Sequence, residues 1–359
     1  MALVHDWLTV PAGSEEVFAE ICKLFPGTVL ASQIDVKRCK FLEGYDVRPS
    51  IVQRMPMALK KHYMYAPILP YVYARMNLRE FDLVLSDSHS FAHGVKKRPD
   101  ALHVNYYHTP ARSLWVPEID KRASKTAAHR AIARHLRRLD LVASRRPDIL
   151  FANSQTTAAR IEEFYGRKVD RVIYPPVHTQ NWSEVEHVSD EEGLLYWGRL
   201  IDYKRVDLAI DAVRKTGHKL NIVGSGPLDA ELRKRASGMS NVVFHGRLPD
   251  EELKVLMSRS RAVVFAAYED FGIVPVEAMA AGLPVIAFGQ GGAAETVLPE
   301  FGVRFMEQTV ESLTGAIEAL QGRTFDPTAL KAHAAQFDVE RFRREYTEEV
   351  VRALRARSK

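Results

Sequence analysis

Short apolar runs recur along the chain, and stretches with helical spacing separate most of them. In the first half, 3–6, 28–34, 46–53, 82–88, 102–108 and 148–154 read as strands. In the second half, 193–200, 218–226, 241–248, 261–268 and 283–289 read the same way. Helices are predicted at about 14–24, 206–215, 228–237, 250–259, 274–281 and 309–320, with a last, amphipathic one at about 338–355. Ser14 is the expected N-cap of the first helix, with Glu15 and Glu16 in its first turn. Near-continuous apolar strands alternating with helices predict parallel sheets covered on both faces. The pattern runs twice, so two doubly wound α/β domains are expected. Between them, 174–192 carries adjacent prolines, Pro175 and Pro176, and then a polar, acidic segment that reads as a linker.

In sheets of this kind functional residues collect at the C-terminal strand ends. His5, Asp6, Ser86, Ser88, His89, His108 and Ser154 stand there in the first half. One polar residue in such a place is ordinarily a turn former; several from different strands point to a crevice. In the second half one stretch concentrates the pattern, Tyr268 to Gly292. A buried strand, 261–267, leads into a turn with Glu269 before it and a helix carrying Glu277 after it. The backbone N–H groups of Gly272, Ile273 and Val274 would stand at a helix N-terminus, which suits a phosphate. Glu277 could accept bonds from a pair of sugar hydroxyls. Either glutamate alone would read as a surface acid. Arg199 follows a predicted strand and Lys204 comes just before a helix, two cations able to neutralise a diphosphate. The strand end Gly224-Ser225-Gly226-Pro227 permits a close backbone approach.

Composition adds bounds rather than chemistry. With 359 residues, 46% hydrophobic and 26% charged, the chain can build two ordinary domains. Cys22 and Cys39 lack metal-site spacing and suggest a reducing compartment. The opening MALVHDW lacks the basic start and long apolar core of a signal peptide, and no apolar run reaches membrane-spanning length. The expected location is the cytoplasm, with peripheral attachment to the inner face of a membrane as the alternative. A net charge of +5 suits anionic partners without choosing among them. Residues 121–146 are strongly basic: Arg130, Arg134, Arg137 and Arg138 share a helical face, against Ile132, Leu136 and Leu139 on another. This is either a solvated face or an attachment to anionic lipid. Residues 54–80 mix tyrosines, methionines and prolines with basic residues, as a packed helical excursion or as a surface for a lipid-linked substrate.

Absences narrow the chemistry. The 224–229 stretch is not G-x-G-x-x-G, because Asp229 takes the last position, so a dinucleotide fingerprint is missing. There is no P-loop and no D-x-D, which disfavours a metal-held nucleoside diphosphate. A diphosphate bound here would rely on cations and helix dipoles.

Against that background the chain resembles the retaining GT-B glycosyltransferases of family 4. The resemblance is carried by GRL-x-x-x-K-R-V-D at 198–207, G-S-G-P at 224–227, F-x-G-R-L-P-D-E-E-L at 244–253 and E-D-F-G-I-V-P-V-E at 269–277. L-V-H-D-W-L at 3–8, S-D-S-H-S-F-A-H-G-V at 86–95 and Y-H-T-P-A-R-S-L-W at 107–115 are similar to the bacterial mannosyltransferases of O-antigen and exopolysaccharide synthesis.

The resemblance implies two Rossmann-like domains facing a central cleft, with a C-terminal helix returning to the first. It implies an acceptor-binding domain at 1–175, a linker at 176–192, a nucleotide-sugar domain at 193–336, and residues 337–359 packing back on the first domain. It implies a hexosyltransferase without cofactor or metal, using a nucleoside diphosphate sugar, best read as GDP-mannose, and a saccharide or lipid-linked acceptor. No recognised nucleic-acid-binding module accompanies the basic 121–146 stretch, so no nucleic-acid partner is expected. Glu277 would hold the ribose, and Glu269, with the backbone of Asp270, Phe271, Gly272 and Ile273, the donor hexose. Arg199 and Lys204 would bind the diphosphate, and Gly224 would lie beside it. Arg247 and Leu248 would line the base, Gly13 would approach the phosphates, and His108 would face the donor sugar and acceptor. Two departures from the family pattern stand out: Ala12-Gly13 replaces Gly-Gly, and Ala92-His93-Gly94 replaces Ala-Lys-Gly.

Overall fold

Leu3 and Val4 are adjacent in the first strand, point to opposite faces of a sheet, and are both fully buried. Leu85 and Val84 repeat this in the neighbouring strand. Leu3 and Leu85 join a core with Phe18, Ile21 and Val104, whereas Val4 and Val84 join one with Tyr73, Phe91 and Leu136. A sheet apolar on both faces must be covered on both, which is why these strands read as runs rather than alternations.

The computed structural model describes residues 1–116, 127–189 and 191–357. It divides into two units: Met1–Pro176 together with the chain from Phe342 onward, and Val177–Arg341. The first unit holds a parallel sheet of β1 (Ala2–His5), β2 (Thr28–Ala31), β3 (Val47–Pro49), β4 (Leu83–Ser88), β5 (Leu102–Tyr107), β6 (Ile149–Ala152) and β7 (Arg171–Val172). Their order is β3-β2-β1-β4-β5-β6-β7. The second holds β8 (Gly193–Trp197), β9 (Leu220–Val223), β10 (Val242–Gly246), β11 (Ser260–Phe265), β12 (Val285–Phe288) and β13 (Gly302–Phe305), in the order β10-β9-β8-β11-β12-β13. In its core Leu194, Ile222, Val264 and Ile286 meet Ile210, Val213 and Ile317 from the covering helices.

The final helix, Val339–Arg357, buries Phe342, Tyr346 and Val350, spaced four apart, in the core of the first unit. Arg343 fixes it further through an ion pair to the buried Glu20, 2.6 Å away. Residues 177–192 lie in the second unit and include a short helix, Gln180–Ser183.

Most predicted strands overrun the observed ones at their C-terminal ends: 218–226 becomes Leu220–Val223, and 46–53 becomes Val47–Pro49 followed by a 3-10 turn, Ile51–Arg54. Those extra residues are extended or apolar but lie in the loops beyond the sheet. β7 has only two residues, and β13, Gly-Val-Arg-Phe, is broken by the exposed Arg304. The first helix starts at Gly13 with Ala12 as an N-cap that offers no side-chain bond, while Ser14 Oγ donates to Glu15 instead.

Candidate functional site

In the second sheet the chain leaves β8 toward β9 on one side, while β11 continues to β12 on the other. The gap between the diverging connections, at the C-terminal ends of β8 and β11, is where ligands settle in open parallel sheets. Arg199 and Lys204 follow β8, and Glu269 to Glu277 follow β11. Lys204 Nζ lies 2.5 Å from Glu269 Oε1, both side chains being 13% exposed, and 5.4 Å from the centre of the Phe265 ring. The two residues were assigned to diphosphate and hexose; here they hold each other. Arg199 is exposed and donates from Nη2 to Tyr203 Oη at 3.2 Å.

The loops beyond β8 and β9 are tied backbone to backbone. Gly198 N–H donates to Val223 O at 3.0 Å, Leu200 N–H to Ser225 O at 3.1 Å, and Leu228 N–H to Leu200 O at 3.2 Å. Gly224, at φ +134°, leaves no room for a Cβ, which would strike the carbonyl of Gly198. Its close approach is therefore to a neighbouring loop. Beyond β10, exposed Arg247 donates from Nε to Ser225 Oγ at 2.8 Å, beside half-buried Leu248. Four adjacent strand ends thus carry all the second-unit residues named from the sequence.

The turn after β11 turns its side chains inward. Asp270 and Phe271 are buried, and the Phe271 ring lies 5.9 Å from that of Phe337. Gly272 adopts φ +86° and precedes the helix Ile273–Ala280, which has no side-chain cap and no acidic residue in its first turn. Glu277 is half-buried one turn along it. Gly291 and Gly292 brace the loop from beneath: Gly292 N–H donates to Glu269 O at 2.8 Å, and a Cβ at Gly292 would strike Asp270 and Phe271 backbone atoms. Their bracing role went unassigned from the sequence, although the Gly-Gly pair ends the motif.

The first sheet has its own switch point, between β1 and β4. Gly13 opens the helix after β1, and His108 follows β5. His108 Nε2 lies 2.6 Å from Asp87 Oδ1, and His5 Nδ1 lies 3.2 Å from Asp87 Oδ2. Burial raises the Asp87 carboxyl, but the His108 and His5 imidazoles more than offset it and hold it at about 2. Burial lowers His5, yet Asp87, Glu15 and Asp6 together carry it above its ordinary value. Asp6 accepts four backbone N–H groups, from His89, Ser90, Phe91 and Ala92, at 2.6 to 2.8 Å. It thereby fixes the loop after β4. Sequence reasoning singled out His5, Asp6, His89 and His108 but passed over Asp87, whose signal was an ionisable residue inside the S-D-S end of a buried strand.

His93, where the resembled family has a lysine, is fully buried with Nε2 3.1 Å from Asp140 Oδ1, and Asp140 also accepts from Trp115 and Tyr165. The departure from the family pattern is thus part of an internal pair. In the basic stretch, Lys121, Arg122 and Lys125 lie outside the described residues. Within the helix Ala127–Ala143, Arg130, Arg134 and Arg138 are exposed, but Arg137 turns inward to Leu114 O at 2.5 Å, and Arg146, beyond the helix, bonds Gly94 O. Ile132, assigned to the apolar face, is 47% exposed. Residues 54–80 include a 3-10 helix, His62–Ile68, that runs into a short α-helix, Leu69–Tyr73, and leave Met57, Tyr63, Met64 and Tyr71 exposed. Ile51, Ile68, Tyr71, Val72 and Met76 line a cavity of about 670 Å³ there.

Residues 179–324 match the family model described as Glycosyl transferases group 1. O-antigen chain mannosyltransferase C of Escherichia coli is 30% identical over 203 residues, 54% of this chain and 52% of that protein. D-rhamnosyltransferase WbpZ of Pseudomonas aeruginosa is 36% identical over 127 residues, 33% of this chain and 32% of that protein. The chain thus spans about half the length of the first of these curated relatives and about a third of the second. Among solved structures, Anabaena Alr3699/HepE in complex with UDP superposes with a TM-score of 0.70 at 19% identity, over 98% of this chain and 99% of that one. That likeness is one of fold: two parallel-sheet Rossmann-like domains, the α/β arrangement called GT-B. No helix among the described residues is long and apolar enough to cross a membrane.

Proposed function

We propose that this chain, whose second unit is a glycosyl transferases group 1 domain, transfers a hexose from a nucleoside diphosphate sugar to an acceptor hydroxyl with retained configuration. The observation that carries this reading is the Lys204–Glu269 pair at the switch point, beside the uncapped start of the helix Ile273–Ala280. A diphosphate offers Lys204 a better partner than Glu269 does, and the released carboxylate can then accept from donor-sugar hydroxyls. Arg199 and the backbone N–H groups at Gly272 and Ile273 add positive potential without a metal ion. Glu277 is the ribose ligand, Arg247 and Leu248 lie on the base side, Gly13 serves the phosphates, and His108 serves the sugar.

In the proposed step the bond from the anomeric carbon to the phosphate oxygen breaks. The acceptor oxygen attacks from the same face, and its proton passes to the departing β-phosphate. Lys204 and Arg199 stabilise the charge that grows there. The reading of mannose from GDP-mannose draws on the family resemblance and on the Escherichia coli relative's name. The rhamnosyltransferase favours a second donor, a nucleotide D-rhamnose, on the same machinery. A saccharide on a lipid carrier is the proposed acceptor, supported by the apolar cavity and by exposed Arg130, Arg134 and Arg138, which suit an anionic membrane surface.

Nucleoside diphosphate release across a panel of GDP- and UDP-sugars, with thermal shift by GDP and by UDP, tests this. GDP-mannose turnover and a shift with GDP alone are expected; a shift with UDP alone sinks the mannose reading. Lys204→Ala should slow turnover by about 10²–10³-fold. Near wild-type turnover in that variant would remove Lys204 from the chemistry.

A further inference from the structure

Asp87 is fully buried and reaches one imidazole with each carboxylate oxygen. Its partners come from separate strand ends, His5 from β1 and His108 just after β5. An ionised carboxylate only accepts hydrogen bonds, so each ring nitrogen facing it must carry the proton. That assigns N–H to His5 Nδ1 and to His108 Nε2. A neutral His108 then carries its lone pair on Nδ1. Among the described residues no partner satisfies Nδ1, and the side chain keeps 12% of its exposure.

The surroundings keep Asp87 ionised. His5 Nε2 lies 4.0 Å from Glu15 Oε1, so the far side of His5 also faces a carboxylate. Asp6 is committed to the four backbone N–H groups of the next loop and cannot swing toward His108. The His89 ring, 5.6 Å from His5 and 6.5 Å from His108, closes the cluster, with Trp7 edge-on to it at 4.5 Å. Phe18 packs on His5 at 4.8 Å. His108 thus sits in a packed cluster with its inner nitrogen 2.6 Å from Asp87.

We propose that Asp87, clamped by His5, is a positioning residue that fixes the tautomer of His108, so that Nδ1 is presented as an acceptor to a sugar hydroxyl. The hydroxyl's role rests on the glycosyltransferase reading; the tautomer does not. The idea is the logic of a buried carboxylate orienting an imidazole, in which the carboxylate itself transfers no proton.

Nitrogen-15 NMR of the imidazoles in the whole wild-type chain tests it directly, with His108 assigned by its disappearance in His108→Gln. A neutral His108 protonated on Nε2 is expected, and protonation on Nδ1 overturns the proposal without any mutant. In Asp87→Asn the spectrum should move toward the other tautomer, and kcat should fall about 10–100-fold with little change in donor KM. Adding Asp87→Asn to His108→Gln should cost less than about twofold, since the two act as a unit. Fully additive losses would make Asp87 a merely structural residue and overturn the proposal. If no nucleotide sugar is turned over by the wild type, the glycosyltransferase reading fails, and the tautomer alone decides this one.

Discussion

The two units solve the same architectural problem with different materials. Each has a parallel sheet with a switch point, and each gathers its chemistry at the C-terminal strand ends. In the second unit that edge is shaped by backbone: Gly224, Gly226, Gly291 and Gly292 allow loops to touch where any side chain would intrude, and Lys204–Glu269 is the ion pair at the centre. In the first unit the edge is shaped by buried ionisable side chains: Asp6, Asp87, His5 and, deeper, His93–Asp140 and His103, with half-buried His89 beside them. Backbone contacts are insensitive to pH and intolerant of a methyl group. Buried charges are the reverse.

The largest effect should come from Gly224→Ala. The added Cβ meets the Gly198 carbonyl at a φ that alanine rarely adopts, so the second unit should lose more than about 4 kcal/mol or fail to fold. Gly238→Ala is the control: its φ is +80°, but nothing lies within 4 Å of a Cβ, and about 1–2 kcal/mol is expected. Hydrogen exchange resolved by unit would read both. If the two variants lose the same amount, the loop contact has no special weight and the comparison breaks.

The second unit was the more legible of the two in sequence. Its candidate site residues sit in short motifs, and a glycine or a glutamate at fixed spacing carries its meaning locally. Even so, the Lys204–Glu269 pair was invisible, because the residues come from separate strand ends that only the β8–β11 pairing unites. In the first unit nearly every informative contact is of that kind. Asp87 looked like part of a strand, and nothing near it in the chain names His5 or His108 as partners. His93 stood out only as a departure from the family's lysine, because its partner Asp140 lies far along the chain. The fold class and most strands were readable from periodicity, whereas strand ends were not, since loop residues such as 224–226 continue the run in sequence but are bonded to neighbouring loops beyond the sheet.

A smaller effect should separate the units by pH. Burial, with His93 and nearby cations adding to it, lowers His103 to about 3. A histidine held neutral in the fold but free to protonate when unfolded gives full stability above its ordinary value, and loses it as pH falls. The loss is about 1.4 kcal/mol per pH unit, hence roughly 3 kcal/mol for the first unit by pH 4. Asp87, held at about 2, adds to the loss only below the ordinary carboxylate range. His5 has the opposite sign: its contribution is complete below the unfolded value and fades as pH rises through its raised one. Among the described histidines of the second unit, only the exposed His245 shares the sign of His103. Denaturant midpoints at pH 7 and pH 4 should therefore shift more for the first unit, and His103→Gln should flatten that shift. Equal shifts in both units would mean that buried histidines do not distinguish them.

The smallest change in stability is expected from Arg247→Ala, and it probes how far the second unit's site extends. Arg247 is exposed and makes one bond, to Ser225 Oγ, so its loss should alter unfolding by no more than about 0.5 kcal/mol. If Arg247 lies on the base side of a bound nucleotide, affinity for nucleoside diphosphate should nevertheless fall about tenfold, or 1.4 kcal/mol. Ser225→Ala separates two routes to that loss: it frees the guanidinium without removing it, so a weaker effect than that of Arg247→Ala means that Arg247 contacts the ligand directly. Equal losses would mean that the Ser225–Arg247 bond, and so the shape of the loop after β9, is what the nucleotide reads. Unchanged affinity in both variants would end the site at β9 and leave the backbone-built edge narrower than four strands.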